Sequence, residues 1–133
     1  MRWSSASLFV LAILSTQALA RTDKGLMTGG GVGKSSCPEF LDSMATARQR
    51  GGLESYAGVP VINPFIEYIA GFQTGYNLGA PGVYDVFETL GEKPVSKALF
   101  TIEAWCSEHP EADFDDGIFD LLRTLQDEPA HAP

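Results

Sequence analysis

Between residues 36 and 126, apolar side chains recur at three- and four-residue spacing, the period of helices with one buried face. The first stripe is Phe40, Leu41, Met44 and Ala45. Ser36 and Glu39 stand at capping-box spacing ahead of it, and Pro38 suits a first turn. Gly51-Gly52 is a stop signal, so the pattern predicts a first helix ending at about Arg50. Beyond a loop holding Tyr56 and Pro60, Phe65, Ile69, Phe72 and Tyr76 predict a second helix over 64–76. Gly71 and Gly75, four apart on another face, suit either close approach by a neighbouring helix or a kink.

Asn77 to Gly82 reads as a turn, and 83–90 as a short helix ended by Gly91. Val95, Ala98, Leu99, Ile102 and Cys106 then lie on one stripe, which puts Cys106 on the core-facing side of its helix. Pro110 bars that helix from continuing through Glu108. A last helix is expected over 113–126, with Phe114, Ile118, Leu121, Leu122 and Leu125 inward and Asp113, Asp115 and Asp116 at its positive N-terminal end. No segment shows convincing strand alternation. The expected fold class is all-α, an orthogonal bundle of roughly four to five helices.

The N-terminal pattern differs. Arg2, the apolar run from Leu8 to Leu14 and the small-x-small triplet Ala18-Leu19-Ala20 compose an export signal over 1–20, with cleavage before Arg21. The run is too short for a stable membrane span, and no later stretch is long or apolar enough for one; no cysteine at the cleavage point suggests a lipoprotein. A retained anchor is the alternative to cleavage. Residues 21–35 read as a flexible leader rich in Gly, Ser and Thr, and 127–133 as a disordered tail. Within the leader, Gly29-Gly30-Gly31-Val32-Gly33-Lys34-Ser35 imitates a phosphate-binding loop, but Thr28 stands where the first glycine belongs and no apolar strand precedes it.

Two cysteines, Cys37 and Cys106, follow the export signal, and one structural disulfide is the simplest outcome for an exported domain of this size. Two buried thiols are the alternative. The whole chain carries 9 Lys+Arg against 17 Asp+Glu, a formal charge of −8. Loss of residues 1–20 removes Arg2 and no acid, which makes the mature chain one unit more negative. That charge repels nucleic acid and anionic membrane surfaces.

Ser36-Cys37-Pro38-Glu39-Phe40-Leu41, the later Cys106 and Phe114-Asp115-Asp116 together resemble the HdeA/HdeB family of periplasmic acid-stress chaperones. The likeness spans roughly residues 36–125. It implies a small exported helical domain whose Cys37–Cys106 disulfide joins an early helix to a later one, allows a homodimer, and implies an ATP-independent holdase that binds unfolding proteins in acid. This chain departs from the better-known members in the longer separation of its cysteines and in its middle segment. That segment, with Gly71-Phe72 and Gly75-Tyr76-Asn77, is similar to the Rap1a/Tai family of periplasmic immunity proteins, which implies a specific toxin partner as the alternative function.

The charge balance admits an acid response: protonating the carboxylates turns a strongly negative chain strongly positive, and self-repulsion follows; acidity that serves solubility alone, with unfolding in acid to no purpose, is the alternative. Catalysis finds little support, and an enzyme of unknown kind is the third and weakest option. His109 precedes Pro110 in a helix-ending turn, His131 lies in the tail, and neither is paired with a credible nucleophile. Glu111, Asp113, Asp115 and Asp116 could gather a weak divalent ion, yet they lack the loop of a calcium-binding hand, and a solvated helix start is the plainer reading. Trp105 beside Cys106 is expected to pack at the rim of the core or to mark a partner surface. The reading is a non-enzymatic periplasmic binding protein that needs no cofactor or metal.

Overall fold

The computed structural model describes residues 30–127, and the proposed signal (1–20), most of the leader and residues 128–133 lie outside that range. Four α-helices compose the described chain: α1 (Cys37–Gln49), α2 (Val59–Gly79), α3 (Pro94–Glu108) and α4 (Phe114–Asp127). Short 3-10 turns at Gly31–Lys34 and Glu88–Leu90 precede α1 and α3. No strand occurs among the described residues, only an isolated antiparallel bridge between Ser36 and Asp113. The fold is a small all-α bundle, as the periodicity predicts.

α1 begins as its sequence requires. The Ser36 hydroxyl accepts from the Glu39 amide, and the Glu39 carboxylate accepts from the Ser36 amide at 2.8 Å, a reciprocal cap. The helix ends at Gln49, where Gly51 and Gly52 adopt φ values of +102° and +109°.

α2 is longer than expected at both ends. Pro60 occupies its first turn, where no amide donor is needed, so the helix starts five residues before Pro64. Pro64 lies inside it and removes a single backbone bond near the end of the helix. The expected turn at 77–82 begins only after Gly79. α3 includes Glu108; His109, the residue before Pro110, is the one that leaves the helical region, at φ −128° and ψ 65°.

The expected helix over 83–90 is absent. This segment forms an irregular loop with one 3-10 turn, because its amides are taken by side chains: Val86 N–H donates to Asn77 Oδ1 at 2.8 Å and Phe87 N–H to Asp85 Oδ1 at 3.0 Å. Local side-chain acceptors of this kind compete with helix formation.

Residues 31–34 belong to the packed structure, so the described end of the leader does not match the flexible reading. Gly33 is buried, and a Cβ on it would fall 2.2 Å from the Tyr68 hydroxyl. The glycine that imitates a phosphate loop is a packing glycine.

The core centres on three rings. Phe40 of α1, Phe65 of α2 and Phe114 of α4 lie with centroids 5.0, 4.6 and 4.9 Å apart, all tilted or edge-on, the arrangement aromatic quadrupoles favour. Met44, Ile62, Ile69, Phe87, Ile102 and Ile118 surround them without solvent exposure. Cys37 and Cys106 form a disulfide, both fully buried, with Cα atoms 5.0 Å apart. It ties the first residue of α1 to the last turns of α3.

Candidate functional site

The α2–α3 loop is held against α2 by one carboxylate. Asp85 Oδ1 accepts from Gln73 Nε2 at 2.6 Å, from Phe87 N–H at 3.0 Å and from Asn77 Nδ2 at 3.3 Å. The Gln73 bond, then the Phe87 amide and the Asn77 amide, hold the Asp85 carboxyl below its ordinary value of 3.8, and partial burial opposes them only in part. Phe87 follows two residues later and is fully buried. Asp85 thus fastens to α2 the loop that carries the buried Phe87 ring.

A second carboxylate, Asp115, lies at the start of α4 and is 2 % exposed. Lys34 Nζ approaches it at 2.9 Å and Asp113 at 3.7 Å, so the 3-10 turn before α1 is tied to α4 by charge. The bond to Asp115 raises the Lys34 pKa above its ordinary value, desolvation acting in the opposite sense. Tyr68, packed over Gly33, has its phenol pushed up by burial and then by the nearby Asp115 charge. Carboxylate atoms of Asp113, Asp115 and Asp116 all lie within 4.8 Å of one another. The Lys34 ammonium supplies positive charge to that cluster, and burial of Asp115 departs from the solvated helix start expected. A third tie joins α1 to α3, where the Arg48 guanidinium meets both oxygens of Glu103 at 2.5 and 2.7 Å.

Phe72, Gly75, Tyr76, Phe119 and Leu122 line an open apolar groove of about 430 Å³ between α2 and α4. Phe72 and Phe119 meet edge-on at 5.8 Å in its floor. Gly71 and Gly75 have nothing within 4 Å of a Cβ position, so neither admits a neighbouring helix of this chain. Tyr56, Tyr84 and Leu78 protrude at 98 %, 91 % and 85 % exposure.

Of the other residues singled out in the sequence, Trp105 is half-buried, stacks on His109 at 4.1 Å and covers Gly117. His109 Nδ1 lies 2.8 Å from the Trp105 carbonyl, which makes it part of a helix end. His131 lies outside the described residues. No helix among the described residues is long and apolar enough to cross a membrane.

The disulfide expected from two cysteines in an exported chain is present, Cys37 to Cys106, whereas the sequence reading passes over Asp85. Its signal is modest: Gln73 and Asn77 are polar residues one turn apart in an otherwise small and apolar half-helix, followed by an aspartate among turn residues. Comparison with protein-family models, with curated proteins and with solved structures returns no match.

Proposed function

We propose that this protein is an acid-activated, ATP-independent holdase of the periplasm, exported by a cleaved N-terminal signal. The observation that carries the reading is Asp85, a carboxylate held below its ordinary pKa that fastens to α2 the loop bearing buried Phe87. Lowering the pH protonates Asp85 and removes the charge that the Gln73 and Asn77 amides and the Phe87 N–H solvate. The loop then loosens, Phe87 and the α2–α3 surface beneath it become accessible, and unfolding proteins find apolar surface. The Cys37–Cys106 bridge keeps α1 and α3 together meanwhile, so the activated chain stays compact.

The test is suppression of aggregation of an unrelated client at pH 2–3 and at pH 7. Suppression in acid alone supports the reading, and failure to suppress at low pH removes it. A second reading, a periplasmic immunity-type protein that neutralises one toxin, is favoured by Tyr84 and Leu78, which protrude on either side of the turn after α2. It requires one stoichiometric partner that is captured at pH 7 and lost on Tyr84→Ala with Leu78→Ala.

A further inference from the structure

The groove between α2 and α4 is apolar inside and acidic around its edges. Its floor is the edge-on pair Phe72 and Phe119, with Leu122 beside them and Tyr76 stacked on Phe72 at 6.3 Å. The Tyr76 hydroxyl accepts from Gln126 Nε2, a bond that ties the two helices together there. A volume of about 430 Å³ lies within the range of clefts that take a ligand. Along the α2 side, Gly71, Gly75 and Gly79 have nothing within 4 Å of a Cβ position, so that wall is low and a visiting chain can come close to the backbone.

The charges around the groove carry mainly one sign. α2 contains Glu67 and neither lysine nor arginine, and α4 carries Asp115, Asp116 and Asp120 against Arg123. Arg123 is committed to Asp120 at 3.0 Å, and Lys34, over the start of α4, to Asp115 at 2.9 Å. The loop after α2 adds Asp85 and Glu88, which line a neighbouring cavity that shares Tyr76 and Gln126. We propose that the groove binds a basic amphipathic segment of another protein, its large apolar side chains over Phe72, Gly75, Phe119 and Leu122 and its lysines or arginines against the surrounding carboxylates. Apolar burial supplies the affinity, and charge selects the partner. The aromatic floor suits the same partner, because ring faces attract cations. A second copy of this chain fits badly: it would bring like-charged walls together on a molecule whose formal charge is already −8. The binding needs ionised carboxylates, so it belongs to neutral pH and does not rest on the acid reading.

The test uses synthetic amphipathic helices as long as α4 and the full chain as purified, at pH 7. The probes are a leucine-lysine peptide, a leucine-glutamate peptide of the same pattern and a serine-lysine peptide. The first should bind with a Kd on the order of micromolar, and the other two at least about tenfold more weakly. Equal binding of the serine-lysine peptide reduces the interaction to charge, and equal binding of the leucine-glutamate peptide reduces it to apolar contact; either overturns the proposal, as does no binding at all. Location is read separately from amide NMR spectra: the leucine-lysine peptide should shift Gly71, Gly75 and Gly79, and shifts that spare these glycines overturn the proposal. Gly75→Lys sets an ammonium at an open Cβ position and replaces a glycine by a better helix former, so the fold is retained. It should weaken binding about tenfold, whereas Ser107→Lys, the same charge change on exposed α3, should not. Equal effects of the two substitutions overturn the proposal. So does a concentration-dependent dimer that Gly75→Lys dissolves, which would assign the groove to a second copy.

Discussion

Gln73 Nε2 donates to Asp85 Oδ1 at 2.6 Å across twelve residues of chain, joining the middle of α2 to the loop that carries Phe87 into the core. The pH dependence follows from the depressed carboxyl. Its contribution to stability is complete above the unfolded value near pH 4 and is lost as pH falls through the lower folded value. Asp85→Asn should lower stability at pH 7 by about 1 kcal/mol, the difference between charged and neutral acceptors. It should also flatten the fall in stability between pH 4 and pH 2. Urea midpoints at pH 7, 4 and 3 measure both, and in the aggregation assay the same variant should begin to protect clients nearer neutrality.

Lys34 stands half-exposed over a buried carboxylate. Lys34→Met keeps the stem, removes the ammonium beside Asp115, and should cost about 1–3 kcal/mol. Because the partner is buried, moderate salt should not reproduce the loss, whereas it should for an exposed pair. Urea denaturation of wild type and variant in low and high salt separates the two.

Gly33→Ala forces a methyl group into the Tyr68 ring and should cost about 1–3 kcal/mol through overpacking. Tyr68→Ala removes the obstacle. The double variant should therefore lose less than the sum of the singles, a coupling that a double-mutant cycle measures.

Cys37→Ser with Cys106→Ser opens a loop of sequence separation 69 and should lower stability by about 4 kcal/mol in the chain-entropy account. Reductant should give wild type the same lowered urea midpoint and leave the double variant unchanged. In the acid assay, the reduced protein should itself aggregate, because α1 and α3 are then free to separate.

Helix existence and the core-facing stripes were legible because each depends on local period: Phe40, Phe65, Ile102 and Phe114 all lie where the apolar spacing puts them. The cysteine pairing was legible from arithmetic, there being two. The loop at 83–90 was not, since Val83, Val86, Phe87 and Leu90 offer a helical spacing while the decisive acceptors, Asn77 and Asp85, act through tertiary geometry. Pro64 gave a misleading start to α2 because a proline just past the first turn costs only one bond. Gly33 was hidden for a different reason. A glycine needed for close packing, at ordinary φ, looks the same in a sequence as one in a linker.

The bridge from Cys37 to Cys106 closes a covalent ring around α1, α2 and α3 and leaves α4 outside it. A single peptide-bond cleavage between Glu108 and Asp113 would therefore divide the molecule into a cyclic three-helix body and a detachable rod whose Phe114, Ile118 and Leu122 had been its lid. After such a cut the fourth helix would stay by packing, the Lys34 ion pair and hydrogen bonds such as Phe114 N–H to the Ser35 carbonyl, and it is the element whose departure no crosslink opposes.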